Sequence, residues 1–216
     1  MSQAQQPSLI EAHNIKKTYP NVGIVLNNIS LELYQGEAIL ITGPNGSGKT
    51  TLLRILAGVE KPDDGTVMVL GEKFTSPEQK ILIGVVLDRP GLYPELTVRE
   101  NLDLYSRLRG ASLDDKVLDL LGLREVLDRR VDELSFGWRR RVDIARSLIG
   151  DPRILLIDEP FTGLDEEASE KVSRIMDHVR STGGIIATSP DPALAKAYDW
   201  SRVVVLKDGV LNMGTV

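Results

Sequence analysis

Residues 38–58 read AILITGPNGSGKTTLLRILAG: five apolar or β-branched residues, a glycine-rich turn closed by Lys-Thr, then apolar residues at helical spacing. AILIT is apolar on successive positions, which suits a strand covered on both faces, and Leu52, Ile55 and Leu56 fall on one side of a helix. Strand, loop and helix in that order are the context a phosphate-binding loop requires. Gly43, Pro44, Asn45, Gly46, Ser47, Gly48, Lys49, Thr50 and Thr51 are therefore read as a loop and helix start that hold a phosphate chain. The glycines let backbone N–H groups turn inward, Lys49 supplies a mobile cation, and Thr50 offers a hydroxyl to Mg²⁺ beside a helix N-terminus that favours anions. Two glycines, a lysine and a Ser or Thr at these fixed positions arise by chance in roughly 1% of chains of this length. The flanks lower that further, so a nucleoside triphosphate site is expected.

Working outward, short β-branched runs recur at Ile24–Leu33, Thr66–Leu70, Ile81–Leu87, Ile154–Ile157, Ile185–Thr188 and Val203–Leu206. Several do not alternate, which points to an α/β core with strands buried on both faces. Between Pro94 and Gly150 the texture is helical throughout, so residues 92–150 read as a helical insertion in the sheet order. After Asp165, Ala168, Val172, Ile175 and Val179 share one face of a helix, with Asp165 as N-cap and Gly183 at its end.

A nucleotide site with Mg²⁺ needs a carboxylate, and RILLIDEP at 153–160 is an apolar strand ending in Asp158 and Glu159. Charges at the carboxyl end of a buried strand lie where open α/β sheets bind ligands. Asp158 is expected to hold Mg²⁺, directly or through water, and Glu159 to orient and deprotonate the attacking water. Alone, a strand ending in two acids is as readily a solvated turn; paired with the loop at 43–50, the functional reading prevails.

Composition sets the limits. The 216 residues fit one domain, or one core with an inserted subdomain. The net charge of −5 gives no electrostatic footprint for a polyanion, so no nucleic-acid partner is expected, and with no cysteine, disulfides and thiolate metal sites are excluded. The polar N-terminus MSQAQQPS reads as a flexible tail over 1–8. The longest strongly apolar stretch, ILIGVVL, is far short of the ~20 residues of a membrane helix. Any link to a membrane is expected to run through a partner.

LSFGWRRR at 134–141 places a tryptophan against three arginines. It suits a nucleic-acid patch, a helix start, or half of a site completed by another molecule. GPNGSGKTT, LSFGWRRR ahead of RSLIGDP, ILLIDEP, and TGLD at 162–165 together resemble the nucleotide-binding subunit of an ABC transporter, in the family's order, from Tyr19 to Gly209. The resemblance implies a P-loop NTPase core with a mixed β-sheet flanked by helices (9–91 and 151–216), an N-terminal antiparallel β-subdomain, and an inserted α-helical subdomain at 92–150. It also implies ATP and Mg²⁺ as cofactors and head-to-tail pairing, as a homodimer or with another ATP-binding subunit. Ser135 and the backbone near Gly137, flanked by Phe136 and Trp138, would then face the partner's ATP. Asp165 would lie at the dimer interface, and Tyr19 resembles the aromatic that stacks on adenine, its alternative being an ordinary surface or strand tyrosine. RPGLYPELTVRENL at 89–102 resembles the segment where an integral membrane permease docks, which implies a cytoplasmic protein peripheral to the inner face of the cell membrane.

Four positions depart from the family pattern. Phe136 and Trp138 replace a glycine and a glutamine of the signature. Asp88 stands where the family has a glutamine; it can ligate Mg²⁺, or be a solvated aspartate paired with Arg89. After GGIIAT the family places a histidine near the γ-phosphate, and this chain has Ser189; His13 and His178 cannot fill that place. Ser189 donates one hydrogen bond and carries no charge, so ATP hydrolysis is expected to be slow, with Glu159 still performing the chemistry. Of the three arginines, some are expected to pair with acidic residues and one to approach phosphate, and Trp138 is expected beside the closed nucleotide sandwich. The leading reading is an ATP-hydrolysing subunit that dimerises around two MgATP and powers a separate membrane-spanning partner. The alternatives are an ABC-type ATPase unconnected with transport, or a degenerate ATP-dependent dimerisation sensor. Short length, no domain after Gly209, and LSFGW with DEPFTGLD resemble the small subunits of haem-exporting and drug- or lipid-exporting systems.

Overall fold

A computed structural model describes residues 7–75 and 77–213. In chain order the elements are β1 (Ser8–Tyr19), β2 (Gly23–Tyr34), β3 (Ala38–Thr42), α1 (Lys49–Leu56), β4 (Asp64–Val69), β5 (Glu72–Lys73), α2 (Pro77–Ile81), β6 (Ile83–Val86), α3 (Val98–Arg109), α4 (Asp115–Leu121), α5 (Phe136–Ser147), β7 (Ile154–Ile157), α6 (Glu166–Thr182), β8 (Gly184–Ser189), β9 (Arg202–Lys207) and β10 (Val210–Met213), with short 3₁₀ turns between some of them.

Two sheets form. An antiparallel sheet runs β2-β1-β4-β5, and a six-stranded sheet runs β10-β9-β3-β8-β7-β6, parallel except for β10. β3 lies between β9 and β8, with Thr42 level with Val205 on one side and Ser189 on the other. The uninterrupted apolar runs are explained by what covers them. Ile39 and Ile41 of β3, and Ile154 and Leu156 of β7, face a core shared with the antiparallel sheet and α1. Ala38 and Leu40, and Leu155 and Ile157, face a second core against α5 and α6. Each strand is thus apolar on both sides because both sides are interior.

The antiparallel β1 escaped the sequence reading. Residues 1–6 of the expected tail lie outside the described residues, and Ser8 already belongs to β1. Ile81 closes α2 rather than opening a strand, and β6 begins at Ile83. On α6 the four expected apolar residues are buried together with Met176, and the Asp165 carboxylate accepts from the Ala168 N–H at 2.8 Å. Gly183 caps the helix without a left-handed turn, its φ being −143°. Its glycine is required by a close approach: a Cβ there would stand 1.9 Å from the Arg153 carbonyl oxygen. α3 starts with a reciprocal box, Thr97 Oγ1 accepting from the Glu100 N–H and Glu100 accepting from the Thr97 N–H.

Candidate functional site

The loop leaving β3 turns on Gly43, Gly46 and Gly48, all at positive φ. At Gly43 a Cβ would lie 2.2 Å from the Leu206 carbonyl oxygen, and at Gly48 2.8 Å from Val25 Cγ1, so the loop is drawn tight against β9 and β2. Lys49 opens α1 and is buried, its ammonium donating to the carbonyls of Gly43 at 2.7 Å and Pro44 at 3.0 Å. Burial pushes the Lys49 pKa down, while Glu159 and Asp158 oppose that fall. Ser47 Oγ is buried in the same loop without a hydrogen-bond partner among the described residues.

Across from the loop, at the end of β7, Asp158 is buried and accepts from Thr50 Oγ1 at 2.7 Å and from Thr188 Oγ1 of β8. Glu159 follows with φ +51°, a left-handed backbone that costs a non-glycine residue roughly 1–2 kcal/mol. Its N–H donates to Thr188 Oγ1 at 3.2 Å. Glu159 borders a cleft of about 270 Å³ together with Asn45, Gly46, Gly48, Lys49, Thr50, Thr51 and Tyr19, so residues spread over 141 positions of sequence meet in one opening. Tyr19 stands at the end of β1, in the wall of that cleft. Its hydroxyl donates to Glu60 Oε1 at 2.6 Å, and burial reinforced by this carboxylate pushes the phenol pKa up.

The positions that depart from the family pattern are placed as follows. Asp88 pairs with Arg54 of α1 at 2.9 Å, not with Arg89 as the local sequence suggested. Ser189 Oγ donates to the Asp191 carbonyl at 2.9 Å and accepts from the Asp191 N–H at 3.2 Å, so its hydroxyl is occupied in a local turn. Ser135 caps α5, its hydroxyl accepting weakly from the Trp138 N–H at 3.5 Å. Phe136 is exposed, and its ring edge rests on Gly163, where a Cβ would meet Cε1 at 3.1 Å. Gly137 lies against Leu164, so the start of α5 packs on the loop ending in Asp165.

The arginine run resolves differently from expectation. Arg140 and Arg141 bond to backbone carbonyls rather than to acidic side chains. Arg140 is buried and donates to the carbonyls of Leu87 at 3.3 Å and Asp158. Arg141 donates to Leu121 O at 2.9 Å and lays its guanidinium 3.6 Å over the Trp138 ring. Burial lowers both guanidinium pKa values, opposed by nearby carboxylates. Trp138 also packs against the α5–α6 core. Among the described residues Arg139, half-buried on the same helix, makes no side-chain hydrogen bond or ion pair.

Sequence reasoning passed over Thr188, which lies one residue before the place of the family's histidine, and Arg54. It also missed Asn101, fully buried, whose amide nitrogen donates to Tyr93 O at 3.0 Å while its oxygen accepts from the Tyr93 N–H at 2.8 Å. Asp143 is buried and pairs at 2.7 Å with the half-buried Arg146, and its carboxylate also accepts from the Gly91 N–H at 3.1 Å. The period of α5 places Asp143 on a buried face, and an acid there is the signal that was available.

The sequence profile of the ABC transporter family matches residues 26–162. The spermidine/putrescine import ATP-binding protein of Spiroplasma citri is 34% identical over 96% of this chain and 61% of its own length. The Nod factor export ATP-binding protein I of Cupriavidus metallidurans is 36% identical over 83% of this chain, again 61% of its own length. This chain therefore spans about three-fifths of these two relatives. Among solved structures, a dimeric ATP-binding cassette in a post-hydrolysis state bound to ADP and Pi superposes with a TM-score of 0.83 and 27% identity, covering 94% of this chain and 98% of that one. With its phosphate loop, its Asp158–Glu159 strand end and a family profile that covers more than half of its length, this chain belongs to the ABC transporter family.

Proposed function

We propose that this chain is an ATP-binding and ATP-hydrolysing subunit that closes in pairs around two MgATP and powers transport by a separate membrane-spanning partner. The observation that carries the reading is one cleft lined by Gly46, Gly48, Lys49, Thr50 and Glu159, with Asp158 bonded to Thr50. The residues suit MgATP. Hydroxyl and carboxylate oxygens of Thr50 and Asp158 are hard ligands, Ser47 Oγ, buried and without a partner among the described residues, lies in a loop with no room for side chains at Gly43 and Gly48, and Thr50 and Asp158 would hold Mg²⁺ with Asp88 as a further candidate. Bound there, Mg²⁺ neutralises charge on the phosphates.

The protein groups do the rest. Loop N–H groups and the α1 N-terminus bind the phosphates, and Lys49 exchanges two neutral carbonyls for an anion. Tyr19 offers a ring face to the base. Glu159 accepts the proton of the attacking water. Ser135, Gly137 and the start of α5 complete the site of a neighbouring subunit, with Phe136 and Trp138 flanking and Asp165 near the contact. Ser189 gives a neutral hydroxyl already bonded to Asp191, so turnover is slow. Residues 9–91 and 151–216 act as the nucleotide-binding core and 92–150 as the helical unit that meets the permease. Among the described residues no helix is long and apolar enough to cross a membrane, which suits attachment to the cytoplasmic face through that partner. Pairing is tested by light scattering of Glu159→Gln with and without MgATP. The molar mass doubles only with nucleotide if the reading holds; a mass that stays monomeric at saturating MgATP refutes it.

A further inference from the structure

The peptide unit joining Asp158 to Glu159 is held at both ends. Its carbonyl accepts from the buried guanidinium of Arg140, and its N–H donates to Thr188 Oγ1 at 3.2 Å. Glu159 is left-handed at φ +51°, a conformation that persists only where the surroundings impose it. Thr188 in turn donates to Asp158 Oδ1, so one hydroxyl serves both acidic residues. Arg140 reaches a second carbonyl, that of Leu87 immediately before Asp88, at 3.3 Å. One buried side chain therefore pins the backbone at the ends of both β6 and β7.

We infer that Arg140, acting with Thr188, is a positioning residue that seats Glu159 for hydrolysis and ties that seat to α5. Arg140 stands on the same helix as the cap residue Ser135, five residues further on, so a movement of α5 reaches the Glu159 peptide through a single side chain. A planar guanidinium presents two nitrogens at a fixed spacing to the two carbonyls, whereas the three donors of a lysine ammonium leave from one compact atom and hold no such spacing. The inference rests on the reading of Glu159 as the group that activates water.

The test is a double-substitution cycle on purified chain with MgATP as the probe, reading turnover, ATP affinity and melting temperature together. Arg140→Lys lowers kcat by about 10–100-fold, the scale of a misplaced reacting group, while ATP affinity holds. In the Glu159→Gln background the same substitution changes the residual rate little, because the seat no longer holds a functional group. Should Arg140→Lys fail to fold, Thr188→Val takes its place in the cycle, with Thr188→Ser recovering most of the turnover. Equal losses from Arg140→Lys in both backgrounds, or affinity falling as far as kcat, overturn the inference and leave Glu159 chemistry standing. A native chain that binds ATP and turns over no faster than Glu159→Gln overturns the reading beneath it, and this inference with it.

Discussion

Two alanine substitutions in the phosphate loop separate close backbone approach from mere turn geometry. Gly46 has φ +80° with nothing within 4 Å of where a Cβ would stand. Gly46→Ala then costs only the left-handed conformation, roughly 1–2 kcal/mol. Gly43 has φ +147°, and its added Cβ would stand 2.2 Å from Leu206 O and 3.1 Å from Ser47 Oγ. Either the loop or β9 must retreat, and β9 is paired to β3 one residue away, Thr42 level with Val205. The forbidden backbone region costs about 1–3 kcal/mol. One or two weakened sheet hydrogen bonds add about 0.5–1.5 kcal/mol each. In a chain of this size each kcal/mol moves the melting point by about 2–4 °C, so Gly46→Ala should lose about 5 °C and Gly43→Ala about 10 °C. Thermal melts by tryptophan fluorescence read this directly, and a second series with MgATP reads the loop. A ligand at 100 times its Kd stabilises by about 2.7 kcal/mol, a gain that Gly46→Ala retains in part and Gly43→Ala loses. Equal melting shifts for the two variants would refute the packing argument.

Two further outcomes follow from the same contacts. Ser189→His supplies a charged donor where the serine hydroxyl is spent on Asp191, and raises kcat in steady-state assays by up to about 100-fold; no change would refute the proposal that Ser189 slows turnover. Glu100 has its carboxyl held below the ordinary range, first by the Thr97 N–H and then by the Thr97 hydroxyl. Its contribution is complete above the ordinary glutamate value of about 4.3 and is lost as pH falls through the lower folded value, so the melting difference between native and Glu100→Gln shrinks on acidification.

The parts legible in the sequence were those whose burial is uniform or whose spacing is local. β3 and β7 match their sequence bounds because both faces of each are interior, and α6 because cap and apolar face fall within one helix. β1 hides because Glu11, His13, Lys16 and Lys17 interleave its buried Leu9, Ile10, Ala12 and Ile15, and irregular register around Asn14 breaks the period. The contacts of Arg140, Arg141 and Asp88 were illegible for another reason. A guanidinium or carboxylate announces that it needs a partner, but carbonyls carry no sequence identity, and Arg54 lies 34 residues from Asp88 on a different element. Thr188 was overshadowed by its neighbour Ser189, since only the tertiary meeting of β7 and β8 gives its hydroxyl two acidic residues to serve.

The central claim is that Glu159, seated across the cleft from the phosphate loop, turns ATP binding into hydrolysis. Steady-state turnover of MgATP by the native chain and by Glu159→Gln, with nucleotide affinity measured on the same samples, tests it most directly. The account predicts measurable turnover in the native chain, a fall of about 100-fold or more in Glu159→Gln, and closely similar affinities. Equal background rates in both, with ATP still bound, would contradict it and leave an ATP-dependent dimerisation sensor in its place.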